Sequence, residues 1–248
     1  MNYMDKEGVD QAFIIQNSVI GDCNEYISEA VARYPKRFFA SVQVDPFSKD
    51  AASTLEHYAS LSRPNVFKME ISEQYGWSGM HRDLRVFDSP GMSDLWDIAL
   101  KYKMAVMFDT GLIGTNGYQT EQFAKLADAY PSLPIIIEHG CMCKNDFDTD
   151  SELRPQWDAM AKLGRKENIY MGLTAIVETA GNMERAMWVL EHLLNIAGER
   201  KIVWGSDIPG NMRFWTYNNM IEWAEKAPCL TERQKDLFLA QNMLDMFK

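Results

Sequence analysis

Ionisable side chains stand directly after four apolar, β-rich runs of this sequence. Glu70 follows VFKM, Asp109 follows MAVMF, His139 follows IIIE and Asp207 follows KIVWGS. Carboxylates and imidazoles exchange protons near neutral pH and bind divalent cations, so these residues could act as general acids, general bases or metal ligands. A glycine next to His139, and another just before Asp207, would allow substrate and backbone to approach each other closely.

Each of these residues also has a purely structural interpretation. A histidine at a strand end can be a hydrogen-bonded core residue, and an aspartate after a strand can cap a helix. Cys141 and Cys143 follow His139 as a C-x-C pair that could ligate a metal, although small buried thiols are the commoner explanation of such a pair. If several of these ionisable side chains meet at one end of the fold, catalytic or metal-binding roles are favoured over the structural interpretations.

The segments that must position these side chains alternate between short β-rich runs and stretches of helical periodicity. This alternation is typical of repeated βα units with a parallel sheet. The carboxyl ends of the strands in a parallel barrel face one mouth, so residues far apart in the sequence would converge there. Seven strands are predicted: Gln11–Gln16, Phe38–Val44, Val66–Met69, Met104–Phe108, Ile135–Glu138, Ile169–Leu173 and Lys201–Trp204.

Helix signals stand between the predicted strands. Ser93 and Thr216 are expected to cap helices, Thr231 with Gln234 forms a capping-box pattern, and Gly198 stands where a helix should end. No Gly/Ser/Pro linker divides the sequence, so we expect one domain over residues 1–248. No strand is followed by a G-x-G-x-x-G or Walker-type glycine pattern, which favours a barrel over a nucleotide-binding open sheet.

Composition excludes several classes of protein. The chain has 248 residues, 46% of them hydrophobic, and 25 Lys and Arg against 35 Asp and Glu give a net charge of −10. This negative net charge argues against nucleic acid or an anionic membrane surface as the main partner. No apolar run reaches the roughly 18 residues of a membrane span, and we identify no secretion signal. Four cysteines without such a signal predict reduced thiols and a cytoplasmic location.

The order of the sequence blocks resembles the amidohydrolase superfamily, in the branch that includes aminocarboxymuconate-semialdehyde decarboxylase. The blocks are YMDKEGVDQAFII, RYPKRFFASVQVDP, LWDIALKYKMAVMFDTG, AYPSLPIIIEHG, ENIYMGL, GERKIVWGSDIP and LFLAQNMLDMF. The two that contain PIIIEHG and IVWGSDIP are the most specific. The resemblance implies a (β/α)₈ barrel, an enzyme that hydrolyses small carbonyl compounds or decarboxylates small acids, and a divalent metal such as zinc or manganese at the barrel mouth.

The same resemblance implies roles for individual residues. His139 matches a histidine that binds the metal or lies beside it, and Asp207 matches the aspartate that ligates the metal and carries a proton. Asp109 stands where the family normally has a histidine before Thr-Gly. The sequence begins after the family's first strand with its His-x-His pair, so we expect an incomplete barrel that holds strands 2–8. The implied metal ligands are Asp109, His139 and Asp207, an oxygen-rich set that suits Mn²⁺ or Mg²⁺ better than Zn²⁺.

Residues near the strand ends could also bind the substrate. The long segment between Ile71 and Gly91 contains His81, and loops of this length often form lids or binding loops. Arg213, beside Trp215, could hold a substrate carboxylate or could equally pair with a surface acid. Glu70 completes the predicted substrate contacts. Lys68 points into or out of the barrel depending on the strand register, which the sequence leaves open.

These observations support three hypotheses about function. The first is a metal-dependent hydrolase of a small organic acid, ester, lactone or amide, with Asp207 and His139 as catalytic residues. The second is a metal-dependent decarboxylase that uses the same residues. The third is a degenerate barrel that only binds a small molecule. Because an incomplete barrel leaves two strand edges unpaired, we also expect a homo-oligomer.

Overall fold

The computed structural model describes residues 2–62, 65–77, 87, 91–142, 147–176, 182–213 and 215–248. Its core is a seven-stranded parallel sheet, in which each strand pairs with its successor in the sequence. The strands are β1 (Ala12–Ile14), β2 (Phe38–Val42), β3 (Val66–Glu70), β4 (Ala105–Asp109), β5 (Ile135–Ile137), β6 (Ile169–Thr174) and β7 (Ile202–Gly205). The strands curl into an incomplete (β/α)₈ barrel with β1 and β7 as its outer strands. The prediction of seven strands is therefore confirmed.

Helices connect the strands and cover the outer face of the sheet. They are α1 (Asn2–Lys6), α2 (Asn24–Arg33), α3 (Ala51–Ser62), α4 (Met92–Lys101), α5 (Thr120–Ala129), α6 (Leu153–Lys162), α7 (Met183–Ala197), α8 (Tyr217–Glu225), α9 (Glu232–Asp236) and α10 (Asn242–Asp245). Short 3₁₀ turns occur at Ser18–Ile20, Leu163–Arg165 and Gly210–Arg213, and a π-helical turn at Leu237–Gln241 joins α9 to α10.

Most of the predicted helix ends are confirmed. Thr216 accepts a hydrogen bond from the backbone N–H of Asn219, Thr231 forms the capping box with Gln234, and Gly198 ends α7. The prediction that Ser93 caps α4 is wrong, because the helix begins at Met92 after Gly91, which adopts a φ of 87°. Glycine takes this left-handed conformation without steric cost, so the turn before α4 comes two residues earlier than the serine suggests.

The hydrophobic core has two layers, one on each face of the sheet. The outer layer lies between strands and helices and includes Leu55, Trp96, Trp157 and Leu190. The inner layer fills the barrel with Val66, Ala105, Met107, Ile136 and Val203. Phe13, Met243, Met246 and Phe247 pack against this inner layer from β1 and the C-terminal segment. Burial on both faces explains why the strands lack a clear alternation of polar and apolar residues.

Two further features bear on partners. The turn after β1 exposes two large apolar side chains, Val19 at 62% and Ile20 at 63%. Among the described helices, none is both long and apolar enough to cross a membrane.

Candidate active site

The candidate site lies where the strands β3, β4 and β5 end. Side chains alternate along a strand, and Val66 on β3 faces the barrel interior, so Lys68 and Glu70 face it too. By the same rule, Met107 places Asp109 inward at the end of β4. Glu70 and Asp109 are register partners across the two strands. The predicted convergence of ionisable residues at the strand ends is therefore present for these two carboxylates.

His139 follows β5 and pairs with Asp109. Its Nε2 lies 3.4 Å from Asp109 Oδ2, and both side chains are about 15% exposed. On the other side of the ring, Nδ1 lies 3.0 Å from the carbonyl oxygen of Thr174, so Nδ1–H donates to that carbonyl. Burial lowers the pKa of His139, but the negative charge of Asp109 outweighs it and raises the pKa to about 9. The histidine is therefore an imidazolium at neutral pH.

Asp109 is the anionic half of this pair. Burial raises the pKa of its carboxyl, but His139 and Lys68 outweigh burial and hold the pKa well below its ordinary value. The backbone N–H of Gly111 donates to Asp109 Oδ1 at 3.1 Å, which fixes the carboxylate in place. Asp109 therefore stays ionised and orients the imidazolium.

A left-handed turn aims His139 into the barrel mouth. Three consecutive residues have positive φ angles: 59° at His139, 61° at Gly140 and 63° at Cys141. Residues other than glycine adopt this conformation at a cost, so surrounding contacts must hold it. The buried indole of Trp157 donates from Nε1 to the carbonyl oxygen of Gly140 at 3.0 Å, and Cys141 Sγ lies 3.7 Å from Met171 Sδ. These contacts keep the turn in place from outside the barrel.

Lys68 and Glu70 form a second charged group beside the first. Lys68 Nζ lies 3.9 Å from Glu70 Oε2, and Ser72 Oγ donates to Glu70 Oε1 at 2.7 Å. Both charged side chains are buried. Burial and the charge of Asp109 raise the pKa of Glu70 to about 7, although Lys68 opposes this shift. Glu70 can therefore take up or release a proton near neutral pH.

The ammonium of Lys68 lies among negatively charged carboxylates that come from several strands. Burial lowers its pKa, but four carboxylates outweigh burial and raise the pKa above its ordinary value. They are Glu70, Asp109, Glu138 and Asp207. The question of register that the sequence left open is thus answered, since Lys68 points inward and carries a fixed positive charge at the mouth.

Glu138 is a site residue that the sequence analysis missed. The sequence places it at the end of a predicted strand without a role. In the structure it is only 3% exposed and accepts a hydrogen bond from Thr174 Oγ1. Gly172 on β6 makes room for it, because a Cβ at that position would lie 2.6 Å from Glu138 Oε1. The alternation of side chains along a strand could have identified it. Ile136 faces the barrel interior, so Glu138, two residues later, faces it too.

Asp207 lies in the turn after β7, at the same end of the sheet. Its φ is 54°, so both candidate catalytic residues stand on left-handed backbone. The backbone N–H of Asn211 donates to the Asp207 carbonyl oxygen at 3.1 Å, and Asn211 Nδ2 donates to Ser206 O at 3.1 Å. The Asp207 side chain is exposed, and its charge acts on Lys68.

Two more of the predicted substrate contacts, Arg213 and Trp215, follow Asp207 in the chain. Arg213 ends the 3₁₀ turn after Asp207 and is exposed, whereas Trp215 is half-buried and lines a recess between β6, β7 and α8. His81 and Cys143 lie outside the described residues, so their predicted roles stay predictions.

The described residues do not by themselves fit a metal centre. Within the parts of the chain given above, no three His, Cys, Asp or Glu side chains converge to hold a metal ion. Asp109 and His139 supply two adjacent donor atoms, but these atoms also form an ion pair with each other. A protein-held metal commonly needs three or four ligands, so the pair alone is an incomplete set.

A family model described as amidohydrolase matches residues 2–248. No curated protein matches the sequence significantly. Among solved structures, a probable 2-pyrone-4,6-dicarboxylic acid hydrolase from Acinetobacter baumannii, with citric acid bound, is similar with a TM-score of 0.76 and 15% identity, over 99% of this chain and 86% of that one.

Two further structures share the fold. An amidohydrolase from Burkholderia multivorans with bound zinc has a TM-score of 0.75 and 12% identity, over 99% of this chain and 86% of that one. A 5-carboxyvanillate decarboxylase from Sphingomonas paucimobilis has a TM-score of 0.63 and 14% identity, over 98% of this chain and 80% of that one. At these identities the likeness establishes the fold, while the family match covers nearly the whole chain.

Proposed function

The chain belongs to the amidohydrolase family, and on that premise we propose that it hydrolyses a small ester, lactone or amide of an organic acid. The observation that carries this proposal is the partly buried His139–Asp109 ion pair at the strand ends, with the Lys68 ammonium beside it. An imidazolium and an ammonium at one mouth would stabilise an oxyanion and would attract a substrate carboxylate.

The hydrolytic step uses the chain's own residues. Asp207, whose carboxylate is exposed at the mouth, accepts a proton from the attacking water as the water oxygen bonds to the carbonyl carbon. Lys68 and His139 stabilise the negative charge that forms on the carbonyl oxygen. When the bond to the leaving group breaks, the imidazolium of His139 gives its proton to the leaving oxygen or nitrogen. The proton on Asp207 then returns to His139 through solvent.

Glu70 and Asp109 position the two cations. Asp109 accepts from His139 and holds the ring, while Glu70 lies 3.9 Å from the Lys68 ammonium. Glu70, with a pKa of about 7, also buffers a proton at the mouth. We place Arg213, Trp215 and His81 around the substrate, as the sequence predicts.

Members of this family are generally metal-dependent. A zinc or manganese ion held by Asp109, His139 and Asp207 stays a prediction, since the described donor atoms form no three-ligand group. Metal analysis of the purified protein beside its Asp207→Asn variant tests it. A divalent metal that remains through dialysis in the parent and is lost in the variant would support the prediction. Less than about 0.1 metal per chain, with no uptake of added Mn²⁺ or Zn²⁺, would contradict it.

Decarboxylation of a small carboxylic acid is the second candidate. It is favoured by the raised pKa of His139, about 9, because an imidazolium can protonate a carbanion. In this reaction the bond to CO₂ breaks, the electron pair stays on the substrate carbon, and His139 supplies the proton. Lys68 would neutralise the charge that spreads into the rest of the substrate.

The deciding experiment is an activity panel that separates the two reactions. Lactones, esters and amides are scored for acid release, and aromatic or unsaturated carboxylic acids for CO₂. His139→Gln should lower kcat by about 10²–10⁴-fold, the usual contribution of a general acid. The matched control is His192→Gln on α7, which should leave kcat unchanged. A His139→Gln enzyme within about threefold of the parent would contradict the proposal.

We further propose that the partner is a small-molecule substrate, that the chain forms a homo-oligomer and that it is cytoplasmic. The apolar side chains exposed after β1 support association of copies. The location rests on the sequence alone.

A further inference from the structure

Thr174 ends the strand β6 and lies beside His139 at the barrel mouth. Tyr170 on the same strand packs against the inner core layer, so Thr174, four residues later, faces the barrel interior too. Its Oγ1 lies 3.1 Å from His139 Nδ1 and is also hydrogen-bonded to Glu138 Oε2. The reaction steps described above give neither Thr174 nor Glu138 a task.

The hydrogen bonds of this hydroxyl group have one consistent direction. The Glu138 carboxylate only accepts, so the hydroxyl hydrogen of Thr174 is donated to it. The hydroxyl has no second hydrogen, and its oxygen therefore accepts from His139 Nδ1–H. The carbonyl oxygen of Thr174, 3.0 Å from the same nitrogen, accepts as well. Two oxygens of one residue thus hold a hydrogen on Nδ1 and fix the orientation of the ring.

The other ring nitrogen is held less tightly. Nε2 lies 3.4 Å from Asp109 Oδ2, which is longer than an ordinary N–H···O hydrogen bond. The Nε2 proton is therefore the one that His139 can give away. As it does so, the Nε2–H bond breaks, its electron pair stays on Nε2, and the hydrogen bonds to the leaving oxygen or nitrogen. The neutral ring keeps its hydrogen on Nδ1.

Two glycines on neighbouring strands make room for these hydrogen bonds. A Cβ at Gly172 would lie 2.6 Å from Glu138 Oε1. Gly205 on β7 is the register partner of Thr174, and a Cβ there would overlap the Thr174 methyl group. Because a larger residue at either position would displace Glu138 or Thr174, the arrangement depends on the packing of β5, β6 and β7.

We propose that Thr174 is a positioning residue, whose hydroxyl group, oriented by Glu138, holds Nδ1–H of His139 and leaves Nε2 to deliver the proton. This inference rests on the proposed function, because it assigns the nitrogen that acts in its second step. Thr174 acts through His139 and has no contact with the reacting atoms in this account.

The first test compares Thr174→Val, which replaces the hydroxyl with a methyl group, with Thr174→Ser, which keeps the hydroxyl. We expect kcat to fall about tenfold in Thr174→Val, the effect of losing one buried hydrogen bond that orients the ring, while KM stays within about twofold. Thr174→Ser should recover kcat to within about threefold of the parent. The matched control is Thr115→Val, which removes a hydroxyl that donates to the backbone oxygen of Leu112 and should leave kcat unchanged.

The second test needs no turnover. In ¹H–¹⁵N NMR spectra of the whole chain, the Nδ1–H signal of His139 is identified by its loss in His139→Gln. We expect this hydrogen to exchange with water at least about tenfold faster in Thr174→Val than in the wild-type chain or in Thr174→Ser, because one of its two acceptors is gone. Thr115→Val should exchange like the wild-type chain.

Thr174→Ala removes the same hydroxyl without adding bulk and takes the place of Thr174→Val if that variant does not fold. Wild-type exchange of Nδ1–H in the folded variant without the hydroxyl would overturn the proposal. An equal loss of kcat in Thr174→Ser would overturn it too, since the methyl group would then be what matters. A wild-type chain that hydrolyses nothing in the panel would refute the proposed function, while the exchange measurement would still decide whether Thr174 holds Nδ1–H.

Discussion

Trp157→Phe tests whether the left-handed turn at His139 is held from outside the barrel mouth. The substitution keeps an aromatic ring but removes the N–H group that donates to Gly140 O at 3.0 Å. Because this hydrogen bond is buried, removing its donor costs about 1–3 kcal/mol. Left-handed backbone at a residue other than glycine costs about 1–2 kcal/mol, a similar amount. The lost hydrogen bond is therefore large enough to let the turn relax at His139 or Cys141.

A relaxed turn moves His139 while the rest of the fold stays intact. A domain of ordinary stability, about 5–15 kcal/mol, remains folded after a loss of this size. We expect kcat to fall about tenfold, which corresponds to about 1.4 kcal/mol of transition-state stabilisation. KM should change much less, because Lys68 and the outer substrate contacts are untouched. The assay is steady-state kinetics on the substrate found in the panel, together with urea unfolding.

The matched control is Trp188→Phe. The Trp188 ring lies 5.4 Å from the Trp157 ring in the same aromatic cluster, so both variants remove an indole from that cluster. Of these two indoles, it is the Trp157 ring that donates to the carbonyl of Gly140. Equal losses of kcat in the two variants, after correction for the folded fraction, would refute the reasoning, and so would a Trp157→Phe enzyme with wild-type kcat.

Three further predictions concern the site, the sheet and the assembly. Burial in the folded state raises the pKa of Glu70 from 4.5 to about 7, so folding favours the protonated carboxyl. The stability that this adds is complete below pH 4.5 and is lost as the pH rises through 7. Urea unfolding should therefore show that Glu70→Gln gains about 1–3 kcal/mol over the parent between pH 5 and pH 8, and an equal difference at both pH values would contradict this. Gly172→Ala places a Cβ 2.6 Å from Glu138 Oε1 and should destabilise the fold by about 1–3 kcal/mol in the same assay, whereas an unchanged midpoint would show that Glu138 is free to move. The double variant Val19→Asp, Ile20→Asp should shift light-scattering mass towards the monomer, and a parent that is already monomeric would disprove association through this turn.

The sequence predicted the strands and their order well because each is a short, β-rich run bounded by turn residues. Ile135–Ile137, three β-branched residues in a row, is the clearest example. Predicted and observed strand ends differ by at most two residues. Residue types at the strand ends also predicted that Asp109 and His139 lie close together, because the carboxyl ends of parallel strands share one edge. Their side chains are 3.4 Å apart, and their roles stay predictions.

Other parts of the site could not be predicted from the sequence. The direction of Lys68 depends on the strand register. Because β3 is buried on both faces, the alternation of Lys68 and Glu70 with apolar residues does not tell which face is the barrel interior. The bond from Trp157 to Gly140 joins residues that are 17 positions apart through tertiary packing alone. The room for Glu138 depends on a missing Cβ at Gly172 on the neighbouring strand. Each of these features follows from contacts between elements, which local patterns do not encode.

The most direct test of the central claim is the pKa of His139 measured by NMR. The chain has four histidines, so a His139→Gln variant assigns its imidazole signal. We predict a pKa of about 9 for His139 in the wild-type chain, since the charge of Asp109 outweighs burial. In Asp109→Asn, burial is no longer opposed by that charge, and the pKa should fall clearly below the wild-type value. A wild-type pKa at or below the ordinary value of 6.5, or no change in Asp109→Asn, would contradict the account.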